Sequence, residues 1–308
     1  MPTVYSGSAF VYPYFAAWAF APLAFISLGL GAGLFFVFSA GAVTLAVLAV
    51  ADRAQRWSAV LVLCASFTIS GLQLGALSPL LFAGAIFLWK LRDRPLAFAA
   101  LAAPVIACKL FLAPLLLWPL LAGRRRAFGY ALGALAGLLA ASFVLSPLGP
   151  IKYQQLLSAL SLHEARAGFG MVGALMNIGL PSLTAQAISI IAAIAVLGLS
   201  LVGYRRTHDE RALFYGGIVA SLVASPIVWS HYLVVLFAAL LVARVQARWL
   251  LLAVLASWAI APPHGQQLDT DFIGGIASSG TWSVVVAASV VLMVSSPQRV
   301  RRSKDRAT

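Results

Sequence analysis

Charge is what this sequence has least of. Only 9% of its 308 residues are Asp, Glu, Lys or Arg, and none of these falls in residues 1–51. A soluble domain carries roughly 25%, so a globule of this size could not be solvated. A soluble enzyme and a disordered chain are excluded together. Cysteine is scarce as well. Cys64 and Cys108 sit inside apolar runs without a C-x-x-C spacing, which excludes a disulfide scaffold and a cysteine zinc site. Asp and Glu number 8, and no two of them share an apolar run. A proton-driven pump normally needs intramembrane carboxylates, so that class is disfavoured. Also missing are a Walker loop, a G-x-G-x-x-G after a strand and an H-E-x-x-H.

What remains is apolar: 62% of the chain, with a mean hydropathy of +0.98. This is the composition of an integral membrane protein. Lys and Arg number 21, giving a formal charge of +13. They come in short clusters between apolar runs and not as a basic stripe interleaved with stacking aromatics, so no nucleic-acid partner is expected. The clusters are Asp52-Arg53 with Arg56, Lys90 to Arg94, Arg124 to Arg126, Arg205-Arg206 with Arg211, Arg244 with Arg248, and the tail from Arg299. The positive-inside rule puts all of them on the cytoplasmic side.

That placement sets the course of the chain. Residues 128–146 run outward, 147–181 form an external segment, and 183–204 return. Residues 212–226 run outward again, 229–243 return, 249–262 exit, and 278–294 re-enter after a loop holding His264, Asp269 and Asp271. Several runs fall short of the roughly 20 residues of a full crossing. Between Arg94 and Arg124 there is room only for two half-length helices, meeting near Lys109. Residues 57–90 read likewise, with a tip at 71–79, and Pro79, Pro104 and Pro114 supply the breaks. Residues 14–51 leave one or two crossings open, because Ser27 to Gly33 allows a break. The uncharged beginning lacks a basic n-region, and we expect the chain to start inside a larger domain.

Lys109 is apolar-flanked and far from the basic clusters; an ammonium there calls for an anion, a carboxylate or a lipid phosphate, unless it snorkels to the interface. His231 lies at a proline break in Ser225-Pro226-Ile227-Val228-Trp229-Ser230-His231-Tyr232, where Trp229 and Tyr232 suit an interface belt. It is a proton-transfer candidate or a satisfied hydrogen-bonding residue. Residues 152–163 form an amphipathic helix with Tyr153, Leu156, Leu157 and Leu160 on its apolar face. Arg166 beyond it is placed to meet a phosphate or to pair with Glu164.

Four segments resemble glycosyltransferase family 87, a polyprenyl-phosphate-sugar-dependent family of the GT-C class that includes bacterial mannosyltransferases. Phe10-Val11-Tyr12-Pro13 with Pro22-Leu23 is similar to its "F-x-Y-P-P…a-P-L". Ala107-Cys108-Lys109, a following proline and Arg124 to Arg126 resemble "A-x-K-x-x-P…r-r-w-r". Arg166-Ala167-Gly168 with Asn177 resembles "R-x-G…N-Q-S-L". The stretch from Ser225 to Tyr232 resembles "S-P-I-S-W-x-H-H". The sequence departs from the pattern at Tyr14, at Gly75 to Ser78 where the family has G-Q-x-N, and at Ile178-Gly179. The family's first membrane helix and its external loop with the essential aspartate have no counterpart here.

The resemblance implies an all-α, polytopic transmembrane bundle of GT-C type, with short broken helices lining an external cavity over residues 1–296. A basic cytoplasmic tail, 297–308, follows. It implies transfer of a hexose, mannose-like, from a polyprenyl-phosphate sugar to a hydroxyl of a glycolipid or glycan acceptor. The active face would be extracytoplasmic in the plasma membrane, with no resident cofactor or metal, the lipid-phosphate sugar serving as co-substrate. Lys109 and Arg166 would bind the donor phosphate. His231 would be catalytic, and Asn177, Tyr12 and Trp229 would orient substrate. Two readings compete: a small-molecule or lipid transporter, and a non-catalytic remnant of the transferase.

Overall fold

A computed structural model describes residues 12–146 and 149–261. Among them there are only helices and connecting turns: α1 (Tyr14–Phe20), α2 (Leu28–Val50), α3 (Ser58–Leu63), α4 (Ser66–Gln73), α5 (Ser78–Leu91), α6 (Pro95–Cys108), α7 (Leu117–Leu121), α8 (Arg125–Val144), α9 (Pro150–Glu164), α10 (Met171–Asn177), α11 (Ser182–Thr207), α12 (Arg211–Ala224), α13 (Val235–Val242) and α14 (Ala247–Ile260). Short 3-10 turns at Ala21–Phe25, Leu110–Leu116 and Ser230–Val234 link some of them. The protein is an all-α membrane bundle. The re-entrant run expected at 278–294, the loop with His264, and the tail 297–308 lie outside the described residues.

Three helices, α2, α8 and α11, are long and apolar enough to cross a bilayer. At 1.5 Å per residue, the 23 residues of α2 reach about 35 Å, beyond a hydrocarbon core of roughly 30 Å. All three leave large apolar side chains on the outside, among them Phe36 and Phe38 of α2, Leu132 and Val144 of α8, and Ile191 and Ile194 of α11. In water this would be an aggregating surface; in lipid it is the solvated one. The break allowed at 27–33 falls at the near edge of that range, where Ile26 and Ser27 are extended between the turn Ala21–Phe25 and α2. Ser27 caps α2, its hydroxyl accepting from the Leu30 amide at 3.4 Å.

The remaining apolar helices are half-length, and α5, α6, α12 and α13 among them form the interior. Residues 95–121 fold as expected into α6, the 3-10 turn and α7, broken at Lys109, whose backbone is extended (φ −147°, ψ 96°). Residues 58–91 likewise form α3, α4 and α5, turning at Leu74 to Leu77, where Gly75 takes a positive φ of 60° that ends α4. A hydrocarbon medium offers no partner for backbone freed at such breaks, so protein must supply it. At the α3–α4 junction α14 does so. The Ser66 amide donates to Ser257 Oγ at 3.0 Å, the Ser66 hydroxyl donates to the Ala261 carbonyl, and Trp258 Nε1 donates to the Cys64 carbonyl at 2.9 Å. At the start of α1, the Phe15 amide donates to the buried Ser142 hydroxyl of α8 at 3.2 Å.

One end of the bundle gathers the charged turns. Arg124 grips Glu210 with two hydrogen bonds of 2.8 Å and also pairs with Asp93. Arg92 reaches Glu210 at 3.4 Å, and the fully buried Trp118 donates its indole N–H to the same carboxylate at 2.9 Å. The hydrogen bonds to Glu210, with Asp93 adding to them, push the Arg124 guanidinium above its ordinary value, so it stays charged. Trp118 stacks on Trp89 and meets Phe214 edge-on, closing an aromatic cluster beneath the ions. Asp52 and Arg244 pair at 3.8 Å. From Pro95 the 14 residues of α6 carry the chain about 21 Å away from this end to Lys109.

Candidate active site

The break at Lys109 faces a second irregular stretch, Ser225 to Trp229, which separates α12 from the turn Ser230–Val234. Pro226 prevents α12 from continuing. The Ser225 hydroxyl donates to the Ile227 carbonyl at 2.6 Å and closes the turn. Tyr232, on the following turn, brings its phenol to Lys109: the ammonium donates to Tyr232 Oη at 2.5 Å. The same ammonium lies 4.4 Å from the Tyr12 ring centroid and 4.7 Å from that of Tyr232. Phe111 stacks on Tyr232 with the planes parallel to within 1° and the centroids 5.2 Å apart. The cation is thus held by aromatic faces and a neutral hydroxyl. Among the described residues no Asp or Glu pairs with it.

Between these two breaks lies a cavity of about 410 Å³. One wall is Cys108 to Phe111 with Pro114, and a second is Ala224 to Ile227 with Trp229 and Tyr232. The third is α9, through Tyr153, Leu157, Leu160 and Ser161. Of the four residues expected on an apolar face of that helix, Tyr153, Leu157 and Leu160 line the cavity and Leu156 does not. Tyr153 is buried against Phe143 at 5.5 Å, and burial pushes its phenol up to about 12. Among the described residues, Lys109 is the one charged residue in this lining.

The loop after α9 docks on the Ser225 stretch by backbone. The Phe169 amide donates to the Val228 carbonyl at 2.6 Å, and a Cβ at Gly168 would stand 3.0 Å from that oxygen. Gly173 is equally constrained, since a Cβ there would collide with the Ala165 carbonyl. Asn177, 9% exposed, donates from Nδ2 to the Arg166 carbonyl at 3.0 Å, while its buried Oδ1 has no partner among the described residues.

The structure therefore brings Lys109, Tyr12 and Trp229 together at or beside one cavity. Asn177 stands behind the loop that docks on it. Arg166 is exposed and absent from the lining, and no ion pair joins it to Glu164 among the described residues. His231 also stays out of the lining, edge-on to Tyr232 with centroids 4.8 Å apart and planes at 84°. Sequence reasoning missed Tyr232 as the partner of Lys109, together with Phe111, Cys108 and the α9 wall. The spacing of Tyr153, Leu157 and Leu160 marked a face but could not say what it covered.

The profile of glycosyltransferase family 87 matches residues 10–226, a stretch that includes Tyr12, Lys109, Arg166 and Asn177 and ends just before Trp229. No curated protein and no solved structure matches the chain. With the profile covering more than half its length, this chain belongs to glycosyltransferase family 87 and is a membrane glycosyltransferase, acting between a sugar donor and an acceptor.

Proposed function

We propose that the cavity binds a polyprenyl-phosphate sugar, with its phosphate on Lys109, and that the hexose, mannose-like, passes to a hydroxyl of a glycolipid or glycan. The observation that carries this reading is the Lys109 ammonium just past the end of α6, which pairs with no carboxylate among the described residues. Desolvating a cation without a counter-charge is costly, which supports an anionic ligand as its partner. The cavity supplies one positive charge, and a phosphodiester donor carries one negative charge. A dianionic diphosphate would be left half-neutralised. The apolar walls, Leu110, Pro114, Leu157 and Leu160, suit the first isoprenoid units of a lipid tail.

In this reading Tyr12 and Tyr232 fix the ammonium, and Trp229 lies where the sugar ring would stack. His231 supports Tyr232 from its far side. Arg166 and Asn177 hold the loop that borders the mouth, with Arg166 free to meet the phosphate or the acceptor as the site fills. The acceptor oxygen bonds to the anomeric carbon as that carbon's bond to the phosphate oxygen breaks, and the electron pair stays on the phosphate. The acceptor's proton ends on the released phosphate monoester or in water. No resident cofactor or metal enters the scheme. In this reading the cavity opens on the extracytoplasmic side of the plasma membrane, a sidedness that the basic turns at the far end support through the positive-inside rule.

Cys108 offers a direct test, because its thiol lines the cavity beside Lys109. In full-length protein carrying Cys64→Ser, a polyprenyl-phosphate mannose should slow labelling of Cys108 by a membrane-permeant thiol reagent. Lys109→Met should weaken that protection by about 10- to 100-fold, the worth of a hydrogen bond to a charged group. Labelling that ignores the lipid would overturn the assignment.

A further inference from the structure

Tyr232 has a hydroxyl whose two roles are not yet both used. Its oxygen accepts from Lys109 Nζ, which leaves the phenolic proton to be given elsewhere, and among the described residues no hydrogen bond donated by this hydroxyl is formed. The ring borders the cavity and is buried and clamped, parallel to Phe111 on one side and edge-on to His231. A phenol so fixed cannot turn freely away from the space in front of Lys109.

We propose that Tyr232 is a catalytic residue, donating its hydroxyl hydrogen bond to the departing phosphate beside the one from Lys109. The proposal rests on the reading of the cavity as the donor-phosphate site. As the bond between the anomeric carbon and the phosphate oxygen breaks, the electron pair collects on that oxygen and the phosphodiester monoanion becomes a monoester dianion. The phenol keeps its proton throughout. A fixed donor aimed at an oxygen that gains charge binds the product-like state more tightly than the diester, which is what accelerates the step. Lys109 neutralises the charge already present in the donor, whereas Tyr232 answers the charge that appears. Polarisation by the ammonium on its oxygen makes the phenol a stronger donor for that purpose.

The distinction is measurable without turnover. Full-length protein with Cys64→Ser is labelled at Cys108 in the presence of two lipids: a polyprenyl phosphate, which is a dianionic monoester near pH 8, and its methyl diester, a monoanion. Tyr232→Phe keeps the ring stack and removes only the hydroxyl. The expected result is about a tenfold loss of protection by the monoester, with the diester changed less than threefold. 3-Fluorotyrosine at position 232, a better hydrogen-bond donor of nearly the same shape, should hold or tighten the monoester; a merely structural role would not move that preference. Equal losses for both lipids in Tyr232→Phe, or none, would overturn the assignment of Tyr232 alone. If neither lipid protects Cys108 in the protein that retains Tyr232, the phosphate reading of the cavity falls and this inference falls with it. Where transfer from polyprenyl-phosphate mannose to an octyl mannoside is observed, Tyr232→Phe should lower kcat by about tenfold and leave the donor KM within threefold.

Discussion

A single lysine among aromatic rings stands in the cavity on which the proposed function rests. Lys109 is conspicuous in the sequence because it is flanked by apolar residues, and among the described residues no carboxylate pairs with it. Its neighbours are Tyr12 and Tyr232, which steady a cation without neutralising it. Tyr12→Leu should therefore loosen the ammonium by the cation–π share, about 0.5–2 kcal/mol, read as a several-fold weaker protection of Cys108 by a lipid phosphate. Asn177 tests the neighbouring loop. Its amide ties the Arg166 carbonyl, so Asn177→Leu should raise local amide hydrogen exchange around residues 165–170 while sparing α6. Both residues are singled out in the sequence by the family resemblance. Tyr232 was passed over because its contact is with a residue 123 positions away, and sequence reading weighs His231 beside it more heavily.

At the scale of elements, close packing is decided by glycines whose need is invisible in composition. A Cβ at Gly84 of α5 would stand 2.6 Å from Val105 Cγ2 of α6. Gly84→Ala should cost about 1–3 kcal/mol of stability through overpacking, seen as a lower melting temperature in detergent, and Val105→Ala should restore part of it. Gly216 of α12 packs on Ser200 of α11 in the same way, since a Cβ there would run into the serine hydroxyl. The half-length helices themselves were legible, because proline positions and the distance between basic clusters leave no room for full crossings. The 3-10 turns after Lys109 and Trp229 were not. They arise where the backbone must turn inside the bundle and still satisfy its hydrogen bonds.

At the scale of the whole molecule, the two ends are divided by charge. Glu210 gathers Arg92, Arg124 and the Trp118 indole, and it is only 17% exposed. Glu210→Ala would leave two guanidinium groups facing each other and an indole N–H without an acceptor. The expected loss is about 1–3 kcal/mol, visible as a lower melting temperature and smaller in high salt. The same division predicts sidedness. A cysteine placed at Arg94 in a Cys64→Ser background should react with an impermeant reagent only from the cytoplasm, and one at Lys152 only from outside; the reverse pattern would turn the protein over in the membrane.

The sequence by itself determined the medium, the helical class, the broken helices and the family, because each is written in composition, in proline spacing or in short local motifs. It also singled out Lys109, since an isolated charge in an apolar run is a local anomaly. Only the tertiary structure decided what surrounds that charge. The closing of α9 over the cavity, the phenol of Tyr232 on the ammonium, and the withdrawal of Arg166 and His231 from the lining all depend on contacts between segments far apart in the chain. Such contacts follow from which helix faces meet. In a chain this uniformly apolar, hydrophobic pattern hardly distinguishes one face from another. Glycine clearances, serine hydroxyls that rescue broken backbone and one charged network at the basic end supply the choice.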